Sequence, residues 1–174
     1  MKCFIALKIP GNISLEIKKI QENLLKFYGK KTELENLHLT LKFLGEIDED
    51  KVEEVKERLK EIKFNKHQTN LDYLGFFDNQ KKGVVWIHLP KCEKLQKVID
   101  NKMHGLDFDL ERRFMGHLTI VRVKNLKNKK EFLKGLKEIK ISKISFNVDK
   151  FYLMSSKTFK EGPIYNILGE YNLD

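Results

Sequence analysis

The sequence contains one short strand pattern twice, about eighty residues apart, and this repeat constrains the fold most. The letters HLTLKF begin at His38, and HLTIVR begins at His117. Both segments are apolar and rich in β-favouring residues, which predicts two buried strands. Because side chains alternate along a strand, His38 shares a face with Thr40, and His117 shares a face with Thr119. A polar pair is costly to bury without partners, so the repeat predicts two faces that meet at one shared cleft.

The rest of the chain repeats in register with these two strands. FIALKIP, beginning at Phe4, is matched by VVWIHLP, beginning at Val84. Periodicity and turn residues predict the order strand–helix–strand–helix–strand twice, followed by a last strand over 164–168. No linker rich in glycine or serine separates the halves. We therefore expect residues 1–174 to form a single domain of two pseudo-symmetric lobes, made by an internal duplication.

Several element boundaries can be predicted from capping and breaker residues. Ser14 is expected to cap a first helix that ends at Gly29, and Asp48 is expected to cap the second helix. Apolar runs predict single strands over 71–77 and 146–154.

The overall charge points to an anionic partner. The chain of 174 residues carries a formal charge of +9, with a pI near 9.4. Nucleic acid or a nucleotide is the first expectation, and a lysine-rich solvated surface is the alternative. Cys3 and Cys92 have no metal-ligand spacing, which is typical of reduced core thiols in a cytosolic protein. The N-terminal apolar run is too short for a membrane span, so we expect a soluble intracellular protein without membrane contact.

Two histidines are chemically suited to displacement at phosphorus. One can act as a general base when neutral while the other acts as a general acid when charged. In-line attack requires such groups on opposite sides of phosphorus, and the hydroxyls of Thr40 and Thr119 could donate to the equatorial oxygens.

Other chemistries find less support in the sequence. A lone histidine on a strand is usually structural, and this is our interpretation of the histidines that lack an echo in the other half: His67, His88 and His104. No Cys, Asp or Glu stands beside either motif at metal-ligand spacing, so we expect no metal. No phosphate-binding glycine motif occurs, which argues against a nucleotide cofactor.

With these motifs, the chain resembles the 2H phosphoesterase superfamily. It is most similar to the LigT-like RNA 2′,3′-cyclic phosphodiesterases, also called 2′-5′ RNA ligases. The resemblance covers essentially the whole chain. Its motifs are the opening FIALKIP, HLTLKFLGE, the run from Arg112 to Arg122, and the closing GPIY.

This resemblance implies an α+β fold, in which two antiparallel sheets face a central basic cleft and the helices lie outside. It implies metal-independent and cofactor-free hydrolysis of RNA 2′,3′-cyclic phosphate ends, such as those of tRNA fragments, to 2′-phosphates. His38 would protonate the departing 3′ oxygen, His117 would activate water, and Arg122 would contact phosphate. A reversible, ATP-independent 2′-5′ ligation is also implied. We expect a cytoplasmic monomer with no obligate protein partner.

Some assignments stay open at this stage. Gly116 replaces a family proline and should loosen the turn before His117. Strict alternation puts Arg122 on the strand face opposite His117. Three explanations are open: a bulge turns its side chain toward the cleft, it acts from the strand end, or it is a solvated cation. Phe114 could stack on the terminal base while Arg112 meets the backbone, or Phe114 could be core and the arginines solvated. Alternation also places Lys42 at the cleft rim.

Two alternative functions remain at this stage. The protein could be a non-catalytic RNA-binding module, or a related phosphodiesterase acting on another ester, such as a small cyclic nucleotide.

Overall fold

The computed structural model describes residues 1–80, 82–160 and 162–174. Four α-helices and ten strands lie within these ranges. The helices are α1 (Gly11–Glu22), α2 (Glu49–Lys60), α3 (Glu93–His104) and α4 (Lys129–Glu138). The strands are β1 (Lys2–Lys8), β2 (Tyr28–Lys31), β3 (His38–Glu46), β4 (His67–Asn70), β5 (Leu74–Asn79), β6 (Lys82–His88), β7 (His117–Asn125), β8 (Ser145–Val148), β9 (Lys150–Thr158) and β10 (Pro163–Asn172).

The strands form two antiparallel sheets, which confirms the α+β prediction. The larger sheet has the order β10-β9-β1-β3-β7-β6-β5, with β2 pairing to β7, and the smaller sheet pairs β4 with β8. At the centre of the large sheet, β3 and β7 are bridged only at Leu39 and Leu118. The large sheet therefore consists of two groups of four strands joined at the two histidine strands.

The two halves of the chain exchange strands. β5, from the first half, pairs with β6, whereas β9, from the second half, pairs with β1. β4 and β8 likewise come from different halves. Each group of four strands contains strands from both halves of the chain, so neither half forms its group of strands alone.

The helices pack against one face of the large sheet, where the core lies. Leu39 and Leu118 are fully buried there, among apolar residues of α1 and α3 such as Ile17 and Ile99. Phe4, Ala6 and Met154 form a smaller cluster. Within the described ranges, no helix is both long and apolar enough to cross a membrane.

The two cysteines lie in the core as free thiols. Cys3 and Cys92 are both buried, and burial raises the pKa of Cys92 to about 12. A thiol of that pKa is protonated at neutral pH and has little reactivity.

The predicted first helix is wrong at both ends. Pro10, with extended backbone angles, precedes the helix, and Ser14 lies inside it, where its hydroxyl donates to the Pro10 carbonyl at 3.2 Å. The helix ends at Glu22, and Gly29 belongs to β2. A Cβ at Gly29 would lie 2.2 Å from the Arg122 carbonyl oxygen, so glycine permits the close approach of β2 to β7. This tertiary pairing overrides the local helical pattern.

Other boundaries follow from sheet membership. The predicted cap at Asp48 is confirmed, because its carboxylate accepts the Lys51 amide hydrogen at 2.8 Å. The single strand predicted over 146–154 is divided at Asp149, because β8 pairs in the small sheet and β9 in the large one. The strand predicted over 71–77 begins only at Leu74, after β4 has ended at Asn70.

Candidate active site

Each histidine strand contains a bulge at the same position of its motif. Two consecutive residues of β1 pair with Thr40 and Lys42 of β3, so Leu41 between them is an extra residue. Two consecutive residues of β6 pair with Thr119 and Val121 of β7, so Ile120 between them is the extra residue. The two strands have the same burial pattern, residue for residue. The bulges therefore shift the alternation of side chains equally in both strands.

The two imidazoles are oriented by matching hydrogen bonds. His38 Nδ1 lies 2.7 Å from the Asn36 carbonyl oxygen, and His117 Nδ1 lies 2.9 Å from that of Met115. A carbonyl oxygen only accepts, so Nδ1 carries the proton in both rings, and each neutral ring has Nε2 available as an acceptor. Both histidines line the same cleft.

The register between β3 and β7 brings the two motifs together. Leu39 and Leu118 are opposite one another and face the core. The antiparallel direction of the two strands then places His38 on the side of Thr119 and His117 on the side of Thr40. The two imidazoles are close enough for His117 to influence the pKa of His38 electrostatically.

Aromatic rings surround both histidines. The His38 ring centroid lies 5.0 Å from Phe4 and 4.9 Å from Tyr165, while that of His117 lies 5.1 Å from Phe77. Burial lowers the pKa of His38 below its usual value; the bond with Asn36 opposes this, and the electrostatic effects of Arg122 and His117 lower it further. In the free protein, His38 therefore favours its neutral form.

The cleft around the histidines has a volume of about 560 Å³ and is basic. Its charged lining residues are Lys2, Lys30, Lys31, Arg122 and Glu33, and its hydroxyl-bearing residues include Thr40, Thr119 and Ser156. Lys30 and Glu33 form an ion pair at 2.5 Å, which lowers the pKa of the Glu33 carboxyl. Cations outnumber carboxylates in this lining, which favours an anionic ligand.

Arg122 lines the cleft because of the bulge in β7. Ile120 and Val121 are both buried in succession, so Arg122 emerges on the face of His117 rather than opposite it. Of the three explanations left open by the sequence, the bulge accounts for its direction. The equivalent residue of β3 is Phe43, which is 68% exposed and also lines the cleft. The two halves of the cleft therefore differ at this position, with a cation in one and an aromatic ring in the other.

Polar side chains from the helices contact both bulges. Gln21 Nε2, on α1, donates to the carbonyl oxygens of Ile120 at 2.8 Å and Thr32 at 2.9 Å. At the other bulge, Lys42 is buried and forms an ion pair with Asp100 of α3 at 2.6 Å. The prediction that Lys42 lines the cleft rim is wrong, because the bulge at Leu41 turns it toward the core.

Gly116 lies in a tight contact rather than a loose turn. Its carbonyl oxygen accepts the Leu89 amide hydrogen at 2.8 Å. A Cβ at this position would lie 2.4 Å from the Leu89 carbonyl oxygen. The expectation of a loosened turn before His117 is therefore wrong, because a side chain is excluded where the two backbones meet.

Arg112 and Phe114 lie elsewhere among the described residues. Phe114 is partly buried and packs against the main core, and Arg112 is exposed. Neither is among the residues that line the cleft. The structure thus gathers His38, Thr40, His117, Thr119 and Arg122, and it leaves Arg112 and Phe114 outside this group.

The remaining histidines are not among the residues that line the cleft, although His88 pairs with His117 across the neighbouring strands. His88 Nδ1 lies 3.0 Å from Asp72, and His104 is exposed at the end of α3. His67 contacts the ring of Phe64. In the ranges that the structure describes, no group of three or more His, Cys, Asp or Glu is arranged to hold a metal.

Sequence reasoning missed several cleft residues, among them Phe43, Phe77 and Tyr165. Tyr165 belongs to the GPIY motif, and Phe43 is the last letter of the first histidine motif, so both could have been found by motif position. Phe77 has no such signal, because it enters from β5, far from both motifs in sequence.

Comparison with known proteins identifies relatives over the whole chain. A family model described as LigT like Phosphoesterase matches residues 7–86 and 89–165. A Methanocaldococcus jannaschii protein named RNA 2′,3′-cyclic phosphodiesterase is 36% identical, covering 98% of this chain and 100% of the relative. A Thermotoga maritima protein of the same name is 33% identical, covering 98% and 94%.

Solved structures share the fold. The crystal structure of TT0787 of Thermus thermophilus superposes with a TM-score of 0.82 at 21% identity, covering 99% of this chain and 97% of that one. E. coli LigT complexed with 3′-AMP superposes with a TM-score of 0.80 at 22% identity, covering 99% and 97%.

Proposed function

The chain belongs to the LigT-like phosphoesterase family, and on this basis we propose that it hydrolyses RNA 2′,3′-cyclic phosphate ends to 2′-phosphates. The observation that carries the proposal is the matched pair of bonds from His38 to Asn36 and from His117 to Met115, which leaves two Nε2 atoms in one basic cleft. Relatives named RNA 2′,3′-cyclic phosphodiesterase support the substrate class.

In the proposed reaction, His117 is the general base and His38 the general acid. Nε2 of His117 takes a proton from water as the water oxygen forms a bond to phosphorus. The bond from phosphorus to the 3′ oxygen breaks, and Nε2 of protonated His38 donates its proton to that oxygen. The product carries a 2′-phosphate and a 3′-hydroxyl. Each acid–base group contributes on the order of 10²–10⁴-fold to the rate.

The remaining cleft residues stabilise charge. The hydroxyls of Thr40 and Thr119 donate to the non-bridging phosphate oxygens, where charge accumulates in the transition state. Arg122 supplies a fixed positive charge beside these oxygens.

The low pKa of His38 in the free protein bears on its role as the acid. The electrostatic effects of Arg122 and His117 help to lower this pKa. A bound phosphate diester adds a negative charge beside the same ring and offsets their effect. Substrate binding therefore favours the protonated form of His38 that the reaction needs.

The same residues can run a reversible transesterification that joins two RNA strands. A 5′-hydroxyl replaces water, His117 takes its proton, and His38 protonates the departing 3′ oxygen to leave a 2′-5′ linkage. One phosphodiester bond is exchanged for another, so no ATP is consumed.

We also propose that residues 1–174 are one domain that arose by internal duplication. The equal burial patterns of β3 and β7, their equivalent bulges, and the separate matches to the two halves support this. We further propose that the protein acts as a monomer, because the proposed acid, base and threonine hydroxyls all line the cleft of a single chain and the reaction needs no residue from a second copy. The two buried free thiols support a cytoplasmic location. We propose RNA fragments such as those of tRNA as the substrates.

The test uses an oligonucleotide that ends in a 2′,3′-cyclic phosphate, incubated with excess EDTA. We expect turnover to the 2′-phosphate, reduced about 10²–10⁴-fold in both His38→Ala and His117→Ala. His104→Ala is the matched control, because this exposed histidine is remote from the cleft lining.

Two outcomes would favour the alternatives. Binding of the oligonucleotide without turnover by the intact protein would favour a binding module. Turnover of small cyclic nucleotides but not of RNA ends would favour a different ester.

A further inference from the structure

A row of aromatic side chains extends from the cleft toward the edge strand β5. Tyr73 and Phe77 lie at alternating positions with Gly75 between them, and Gly75 pairs with Trp86 of β6. A Cβ at Gly75 would lie 2.1 Å from the Trp86 ring. The indole therefore lies against the β5 backbone, in contact with the rings of Phe77 at 5.0 Å and Tyr73 at 5.8 Å. We name Tyr73, Trp86 and Phe77 the aromatic shelf.

The aromatic shelf is continuous with the proposed catalytic centre on the side of His117. Phe77 meets the His117 ring edge-on at 5.1 Å, and Trp86 lies 6.5 Å from it. Phe77 also lines the cleft. At the far end, Tyr73 stacks on His88 at 4.9 Å. Tyr73 and Phe77 are 48% and 41% exposed, so the outer part of the shelf can be contacted by a ligand.

The position of the shelf relative to the phosphate indicates its occupant. In the proposed reaction the leaving 3′ oxygen, and the ribose that bears it, lie on the side of His38. The entering oxygen arrives on the side of His117. Hydrolysis needs only a water molecule there and leaves the shelf without a function. Ligation places a 5′-hydroxyl there, attached to a nucleoside whose base requires a surface.

We propose that the aromatic shelf binds the first nucleoside of a 5′-hydroxyl RNA strand, through stacking of its base on Tyr73 and Phe77. This proposal rests on the function proposed above and identifies its second substrate. Aromatic rings stack with every base, so the shelf accepts RNA strands without strict sequence preference. In the step itself, the 5′ oxygen bonds to phosphorus and loses its proton to His117. The bond to the 3′ oxygen breaks as that oxygen receives a proton from His38.

The experiment uses intrinsic fluorescence, because Trp86 is the single tryptophan of the chain. The protein is titrated with a short RNA that has a 5′-hydroxyl and an unmodified 3′-terminal diol. We expect saturable quenching, because a stacked base changes the surroundings of the indole. An abasic oligomer of the same length and charge is the control, and it should bind without comparable quenching.

Tyr73→Ala tests the shelf directly. Loss of one stacking contact should weaken binding of the 5′-hydroxyl RNA about fivefold or more. The KM for this strand in ligation should rise by a similar factor, while kcat/KM for hydrolysis changes less than twofold. Tyr73→Phe should behave as the intact protein, since the ring is retained. Thermal melting of each variant separates loss of stacking from loss of folding.

Three results would overturn the proposal. Tyr73→Ala could raise the KM for hydrolysis as much as that for ligation, which would place the cyclic-phosphate strand on the shelf. Binding of the 5′-hydroxyl RNA could be unchanged in Tyr73→Ala, or the RNA could fail to quench Trp86. Failure of the proposed function is separately visible, because it appears as absence of hydrolysis by the intact protein, while the fluorescence titration stays readable.

Discussion

The buried ion pair between Lys42 and Asp100 joins β3 to α3 and to the segment that precedes β7, and its removal should affect both stability and catalysis. Lys42 lies on β3, four residues after His38, and its Nζ lies 2.6 Å from Asp100 Oδ1 on α3. The same Nζ also donates to the Asp109 carbonyl oxygen. The second carboxylate oxygen of Asp100 accepts the Glu111 amide hydrogen at 2.9 Å. Lys42 and Asp100 together anchor the segment that leads to His117.

The expected loss of stability follows from the burial of both side chains. The two side chains are only 6% and 7% exposed, so removal of one leaves the other as an uncompensated buried charge. Such a loss costs about 3–5 kcal/mol, a large part of the roughly 5–15 kcal/mol that stabilises a typical domain. We therefore expect Lys42→Met to lower the free energy of unfolding by about 3–5 kcal/mol in chemical denaturation.

The double variant Lys42→Met/Asp100→Leu separates stability from positioning. Replacing both charges by apolar groups should restore most of the stability, because no unpaired charge remains. The Asp109 carbonyl and the Glu111 amide still lose their partners, so the segment before His117 stays less well anchored. We expect kcat to remain reduced on the order of 10–100-fold, because small displacements of catalytic groups are costly.

Lys60→Met is the control, because Lys60 pairs with Glu57 on the exposed face of α2, and its removal should leave stability within measurement error. A cost below about 1 kcal/mol for Lys42→Met would refute the argument from burial. A double variant with fully restored kcat would refute the role of this pair in positioning His117.

Three further predictions concern the cleft. His38 has a lowered pKa in the free protein, and as the acid it must be charged while His117 is neutral, so kcat/KM should be bell-shaped in pH with one of its two pKa values below about 6.5; a flat profile from about pH 5 to 8, or two pKa values well above 7, would contradict this assignment. Gly116→Ala should cost about 1–3 kcal/mol in denaturation because a Cβ meets the Leu89 carbonyl, whereas Gly11→Ala, in open space, should not destabilise; equal stabilities would refute the contact. Arg122→Gln should lower kcat/KM about 10–100-fold through loss of a charge-assisted contact to phosphate, while exposed Arg113→Gln should change it little; equal effects in the two variants would indicate bulk charge alone.

Local rules predicted the parts of the site that lie before the bulges. His38, Thr40, His117 and Thr119 share the cleft face as alternation requires. The same rule fails from Leu41 and Ile120 onward, where it placed Lys42 in the cleft and left the direction of Arg122 open. No residue type in HLTLKF or HLTIVR signals a bulge. The extra residue follows from pairing with β1 and β6, strands that are distant in sequence.

The predictions for the end of the first helix and for Arg112 and Phe114 failed for a related reason. The predicted extension of the first helix to Gly29 ignored the pairing of β2 with β7, which depends on a contact with residue 122. The proposed contacts of Arg112 and Phe114 with RNA relied on nearness in sequence to His117. In the structure Phe114 packs against the core, since the connecting segment is anchored to Asp100 and Lys42 rather than to the cleft.

The sequence by itself determined the repeat, the identity of the two histidine strands, and the order of strands and helices around them, because these depend on residue periodicity and local backbone geometry. Tertiary structure decided which strands are exchanged between the halves, which face Arg122 and Lys42 occupy, and which aromatic rings border His117. These features depend on hydrogen bonds and packing between segments far apart in the chain. A single extra residue in a strand reverses the direction of every side chain that follows it, and only the distant partner strand determines where that residue falls.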